Sequence, residues 1–122
     1  MHFSHNELVL IYNEKEPRDK KTLAYATTIA PRVNKQELSS VRISSTLFEK
    51  ALNQLGVPAK AVLNKAHAEY QESLRGRKLS NEEWFHLILN KPELLKAPIA
   101  MYKGKAVICN SETDIFRLNA RG

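Results

Sequence analysis

The side chains that could do chemistry are concentrated in one short segment, "NEKEPRDK" at residues 13–20. It follows an apolar run and opens a stretch of helical character, a place where small α/β proteins often put a reactive or phosphate-binding group. The segment alternates acids and bases but contains no cysteine, serine or glycine. We interpret it as a solvated turn whose charges neutralise one another, because acids near a helix start are already favoured by the helix dipole. A cation site built on Glu14, Glu16 and Asp19 is the alternative, and the interleaved Lys15, Arg18 and Lys20 argue against it.

Cys109 is the only thiol of the chain and ends a short apolar run. It could be a relocated redox or regulatory cysteine, or a small apolar residue of the core. Free cysteine is usually buried, which favours the core.

The four histidines give no support to a metal site, because His2 and His5 lie at an N-terminus that we expect to be frayed, and His67 and His86 have no cysteine or histidine at ligand spacing. We expect His86 to pair with Glu82 or Glu83 on the surface of one helix. Neither a metal nor a cofactor is predicted.

Composition is that of a globular protein, with 122 residues, 43% hydrophobic and 26% charged. We expect a single domain over residues 1–122. No apolar run approaches the roughly 20 residues of a membrane span, and the N-terminus does not resemble a signal peptide. With one cysteine and no internal disulfide, the expected location is cytoplasmic.

The net charge of +6 is scattered along the chain. Its densest clusters, residues 18–21 and 75–78, lack interleaved aromatics, so nucleic acid is an unlikely partner.

The elements that would position the charged turn are a buried strand at residues 7–13 and a helix from Pro17 to about Pro31. A second strand is predicted at residues 37–43 from its partial alternation. A helix follows, with Thr46 and Glu49 at capping-box spacing and Gly56 as its stop.

The second half of the chain reads as helices followed by a hairpin. Two short helices are predicted over residues 57–65 and 66–76. A stronger one has a Ser80–Glu83 capping box and an inward face, consisting of Trp84, Leu87 and Ile88. Residues 98–102 and 106–109 then form a hairpin around Lys103, Gly104 and Lys105, with glycine at positive φ. A last helix begins at Ser111-x-x-Asp114 and buries Ile115 and Leu118. The predicted fold is therefore α/β, with the order β-α-β, several helices, then β-β-α.

This order resembles the thioredoxin arrangement with a helical insertion between the second strand and the C-terminal hairpin. The stretch "LNKPELLKAPIAMYKGKAVICNSETDIFRL", residues 89–118, resembles ArsC-type arsenate reductases and the related Spx regulators. "LGVPAKAVLNK" and "AEYQESL" resemble the middle helices of that family, so the similarity spans about residues 7–118. It implies that Pro98 takes the place of the fold's cis-proline, so we expect a cis Ala97–Pro98 bond facing the charged turn.

The resemblance also implies what the site has lost. The opening loop of the reductases reads roughly N-P-x-C-x-x-S-R. Laid on this chain, it keeps Asn13, puts Glu16 at the nucleophilic cysteine, and puts Asp19 and Lys20 at the serine and arginine. The family's other anion-holding arginines fall on Asn64, Ala97 and Asn110. A carboxylate cannot perform thiol exchange, and guanidinium forks are what oxyanion binding uses.

The resemblance therefore implies a protein that has lost reductase activity and works by binding another protein. The Spx branch suggests the C-terminal domain of the RNA polymerase α subunit as partner, contacted through Arg18, Lys20, Lys21 and Tyr25. The alternative is a glutathione- or glutaredoxin-dependent thiol oxidoreductase that uses Cys109, which requires an exposed thiol of lowered pKa. A basic nucleic-acid accessory is a third, weaker option.

Overall fold

The computed structural model describes residues 7–39 and 43–119. Within them, four strands form one mixed sheet: β1 (Glu7–Tyr12), β2 (Arg32–Glu37), β3 (Ile99–Tyr102) and β4 (Lys105–Ile108). Their order across the sheet is β2-β1-β3-β4. β1 runs parallel to β2 and antiparallel to β3, which pairs antiparallel with β4. The sheet thus joins a parallel β-α-β unit to a C-terminal hairpin, as the sequence predicts.

The second strand lies earlier than predicted. It occupies Arg32–Glu37, whereas the sequence pattern favoured residues 37–43, of which 40–42 lie outside the described residues. β2 is at the edge of the sheet and pairs only with β1. Most of its side chains are exposed or half-buried, and Glu37 alone is buried. An edge strand of this kind needs no apolar alternation, so the pattern that marks a half-buried strand is absent from it.

Both faces of the sheet are covered, which explains why β1 is a continuous apolar run rather than an alternating one. On one face, Leu8, Leu10 and Tyr12 lie in a cluster with residues of helix α1 (Pro17–Ile29) and of a C-terminal 3₁₀ helix (Glu112–Asn119). On the other face, Val9 and Ile11 lie in a cluster with residues of helices α2 (Ser45–Leu55) and α3 (Asn81–Asn90). Short helical turns link these elements, at Ala59–Val62, Tyr70–Leu74 and Pro92–Leu94.

The start of α2 corrects the predicted capping box at Thr46 and Glu49. The cap is Ser44, whose backbone is extended and whose hydroxyl accepts a hydrogen bond from Leu47 N at 3.1 Å. Three consecutive hydroxyl residues, Ser44, Ser45 and Thr46, stand at the start of the helix, and spacing alone cannot say which of them keeps an extended backbone. The stop at Gly56 is confirmed, since its φ of 73° is left-handed.

The predicted start and inner face of α3 are confirmed. Ser80 Oγ accepts from Glu83 N at 3.1 Å, and Glu83 Oε1 accepts from Ser80 N at 2.9 Å. Trp84 and Ile88 are buried, and the half-buried Leu87 packs against the same cluster.

The hairpin and the last helix are also confirmed. Lys103 and Gly104 form the turn with φ of 51° and 79°, so both turn residues have positive φ. Ile115 and Leu118 of the 3₁₀ helix are buried. In the described parts of the chain, no helix is both long and apolar enough to cross a membrane.

Candidate functional site

The charged turn is organised by Asn13, the first residue after β1. Asn13 is buried, its carbonyl accepts from Glu16 N at 3.0 Å, and its Oδ1 accepts from Lys15 N at 3.1 Å. An asparagine that binds the backbone two residues ahead closes a tight turn by itself. Glu14, Lys15 and Glu16 are exposed, as the solvated-turn interpretation requires.

Asp19 departs from that interpretation, because it is buried rather than solvated. The residue is only 2% exposed. Its Oδ2 accepts from Asn13 N at 3.0 Å and its Oδ1 from Arg18 Nε at 3.3 Å. Burial raises the pKa of Asp19 above its ordinary value, and the Asn13 N–H and the Arg18 charge offset this only in part. Asp19 thus fastens the start of α1 to the end of β1.

Arg18 links the charged turn to the segment before β3 by a hydrogen bond. Its Nη2 donates to Lys96 O at 2.8 Å, while Lys96 N donates to Val62 O at 2.9 Å. The predicted approach of the charged turn to the segment at Ala97 is therefore supported. Sequence reasoning placed Arg18 on an outward face, and no pattern in the sequence signals that its guanidinium turns inward.

The prediction of a cis Ala97–Pro98 bond is wrong for this structure, which has no cis peptide bond among the described residues. Both residues are buried, and Pro98 O accepts from Cys109 N at 2.8 Å. The trans form is the lower-energy state of an X-Pro bond by about 0.5–1 kcal/mol.

The positions assigned to the anion-holding arginines do not converge on one ligand site. Asn64 ties two loops together: its N donates to Leu94 O at 2.7 Å and its Nδ2 to Glu93 O at 3.3 Å. Ala97 is buried. Asn110 and Lys20 are exposed.

Two clefts flank Glu16. A cleft of about 340 Å³ is lined by Arg18, Asn64, Leu95 and Lys96, together with Glu16 and Glu93. The other, of about 490 Å³, is lined on one side by residues of the charged turn and on the other by the end of α3 and the residues after it. Glu16 and Glu93 line both clefts. Both clefts therefore contain two carboxylates, one of them at the position where the resemblance implies a thiolate.

Cys109 is a core residue, as the sequence favoured. It is 0% exposed and lies in the cluster that contains Leu8 and Leu10. Burial, followed by the charges of Asp114 and Asp19, raises the pKa of Cys109 to about 12. The alternative function through Cys109 needs an exposed thiol of lowered pKa, and neither condition is met.

Glu37, at the end of β2, is a buried acid that the sequence analysis missed. It accepts from Glu14 N at 3.3 Å and from Ser39 N at 3.0 Å, and so holds the charged turn from the opposite side.

His86 and Glu82 form the predicted surface pair, with 3.9 Å between Nε2 and Oε1. In the part of the chain that the structure describes, no three metal-ligating side chains are gathered together.

The mixed sheet with its β-α-β unit, C-terminal hairpin and interposed helices is a thioredoxin-like α/β fold. A sequence model of the ArsC family matches residues 18–118, and the chain belongs to that family.

Solved structures share the fold. An arsenate reductase from Vibrio cholerae is 22% identical, with a TM-score of 0.73 over 92% of this chain and 97% of that one. A candidate arsenate reductase from Yersinia pestis is 21% identical, with a TM-score of 0.71 over 90% and 98%. An ArsC-related protein from Brucella melitensis is 13% identical, with a TM-score of 0.58 over 94% and 96%. Among curated proteins, none matches significantly.

Proposed function

We propose that this ArsC-family protein does not reduce arsenate and acts as a non-catalytic binding or regulatory protein. One observation carries the proposal: the only thiol of the chain, Cys109, is 0% exposed with a pKa raised to about 12. The resemblance adds that a carboxylate, Glu16, stands at the position of the nucleophile. A thiol that is neither accessible nor ionised is a poor nucleophile.

The electrostatics of the clefts support the same proposal. An oxyanion placed between Glu16 and Glu93 would meet two carboxylates, which raise the free energy of binding. Arg18 is the guanidinium of the site, and it is engaged by Asp19 and Lys96 O. Lys96 remains as a point charge, and a single ammonium does not reproduce the bidentate fork of an arginine.

The surface that would bind a protein partner is on α1 and the C-terminal 3₁₀ helix. The rings of Tyr25 and Phe116 are 5.1 Å apart, and Phe116 is 41% exposed. Lys21 Nζ lies 5.9 Å from the Tyr25 ring centre and 3.5 Å from Glu112 Oε1. Exposed aromatic rings bordered by basic side chains are typical of protein interfaces. By resemblance to Spx, the proposed partner is the C-terminal domain of the RNA polymerase α subunit.

Titration of the chain with the purified α-subunit domain tests this partner. We expect Lys21→Glu to weaken binding about tenfold or more, since it reverses an exposed charge 5.9 Å from the Tyr25 ring centre. Lys35→Glu makes the same change at another exposed lysine, on β2, and should leave the affinity unchanged. If calorimetry detects no binding heat with the unsubstituted chain, the α-subunit domain is excluded as the partner. Arsenate-dependent turnover would remove the non-catalytic proposal as a whole.

A further inference from the structure

A second surface with unusual charge lies beside the start of α3. There a cleft of about 290 Å³ has an apolar part formed by Pro58, Leu79 and Trp84, and its remaining lining consists of Lys60, Arg77, Lys78 and Asn81. We call it the basic cleft. Two contacts hold its walls together: Asn81 Oδ1 accepts from Ala59 N at 3.1 Å, and Lys60 Nζ donates to Arg77 O at 3.5 Å.

The cations of the basic cleft have no close ion pair among the residues that the structure describes. In the described residues, none of Lys60, Arg77 and Lys78 has a carboxylate oxygen within 4 Å, although Arg18, Lys21, Lys91 and Arg117 each do. The nearby acids of α3 make their closest contacts elsewhere, although hydrogen bonds from Ser80 and, at longer range, the charge of Arg77 lower the pKa of Glu83 below its ordinary value. Glu83 accepts from Ser80 N at 2.9 Å, and Glu82 lies 3.9 Å from His86.

We propose that the basic cleft binds an acidic polypeptide segment, with one apolar side chain seated between Pro58, Leu79 and Trp84. Carboxylates on either side of that side chain would meet Lys60, Arg77 and Lys78, and the Arg77 guanidinium can donate two parallel N–H bonds to one carboxylate. The cleft, of about 290 Å³, has room for one such side chain.

The same residues favour a polypeptide over a nucleic acid. Single-stranded nucleic acid is held by basic grooves that also offer aromatic faces for the bases to stack on. Trp84 is the one aromatic residue lining the cleft, and it is only 2% exposed. It can form the floor under an apolar side chain but cannot stack with a base.

The basic cleft is separate from the surface in the proposed function. α3 packs on the face of the sheet that carries Val9 and Ile11, whereas α1 and the C-terminal 3₁₀ helix pack on the face that carries Leu8 and Leu10. A negative result for one surface therefore leaves the proposal for the other surface unaffected.

Fluorescence anisotropy with defined probes tests the proposal on the whole chain. The main probe is a labelled nonapeptide of glutamate and aspartate with one central leucine. A second replaces the leucine by glycine, a third replaces every acid by its amide, and a fourth is a labelled single-stranded oligonucleotide. The chain carries either Arg77→Glu with Lys78→Glu, or the matched control pair Lys35→Glu with Lys103→Glu at exposed lysines elsewhere.

We expect the acidic leucine probe to bind, and the Arg77→Glu, Lys78→Glu chain to bind it about tenfold or more weakly than the control pair does. Its glycine and amide versions should also bind more weakly. Circular dichroism verifies that each variant is folded. Equal weakening by both variant pairs would mean a diffuse charge effect and would overturn the proposal. Tighter binding of the oligonucleotide than of the acidic probe, or no binding of that probe at low salt, would overturn it as well.

Discussion

The charged turn after β1 and the basic cleft beside α3 both contain clustered cations, yet the two regions use them differently. In the turn, Arg18 is bound by Asp19 and Lys96 O. In the cleft, Arg77 and Lys78 are exposed and, within the described residues, have no carboxylate partner. The arginine of the turn is used in contacts within the chain, whereas the cations of the cleft are available to a ligand.

Burial explains the difference. A charge removed from water must be paired and hydrogen-bonded, and the partners of Asp19 offset part of the cost of its burial. Exposed lysines and arginines need no partner, and surface ion pairs contribute little to stability. The charged turn is therefore not where this chain presents its free charge.

The largest expected effect concerns the thiol beneath the turn. With a pKa of about 12, roughly one molecule in ten thousand carries the Cys109 thiolate at pH 8. About a quarter of a free cysteine is ionised at that pH, so native Cys109 should react with a thiol reagent on the order of a thousandfold more slowly. Stopped labelling followed by mass spectrometry measures the rate, and the urea-unfolded chain is the control. Rapid labelling of the native chain would contradict this expectation and would mean that Cys109 can act as a nucleophile.

Asp19→Ala should lower the free energy of unfolding by about 2–3 kcal/mol, because it leaves the buried Asn13 N–H without an acceptor. Lys78→Ala in the basic cleft should change it by less than about 0.5 kcal/mol. Urea unfolding measures both. If Lys78→Ala lowered the free energy of unfolding as much as Asp19→Ala does, the cations of the cleft would contribute to stability as the charged turn does.

Arg18→Ala should have a smaller effect, about 1 kcal/mol, since the side chain is 35% exposed and water can replace part of its hydrogen bonding. Arg77→Ala is the matched arginine of the cleft and should be nearly neutral. If thermal unfolding instead shows Arg18→Ala to be neutral, the bond to Lys96 O does not hold the turn to the segment before β3.

The smallest effect is a pH dependence that follows from Asp19. Its pKa is raised in the folded chain, so the folded state takes up the proton more readily than the unfolded state does. The part of the stability that is linked to protonation of Asp19 is therefore gained as pH falls through the raised pKa, and is absent above it. Relative to Asp19→Asn, the unsubstituted chain should gain stability between pH 7 and pH 4. A relative loss over that range would mean that the Arg18 charge outweighs burial.

The sequence predicts the elements whose signals are local. The Ser80–Glu83 box, the stop at Gly56 and the hairpin around Gly104 depend on residues a few positions apart, and the structure has all three. β2 could not be placed, because an edge strand such as Arg32–Glu37 carries no apolar pattern. The inward turn of Arg18 and the burial of Asp19 depend on contacts with Lys96 and Asn13 that only the folded chain creates. The trans Ala97–Pro98 bond contradicts an expectation taken from the resemblance and not from these residues.

The central claim is that the charged turn retains the position of a redox site without its chemistry. Arsenate-dependent oxidation of NADPH, coupled through glutathione, glutathione reductase and glutaredoxin, tests it most directly. The unsubstituted chain is assayed beside Cys109→Ser. We predict no turnover above background for either chain. Turnover by the unsubstituted chain that disappears in Cys109→Ser would contradict the account and would assign the nucleophile to the end of the hairpin.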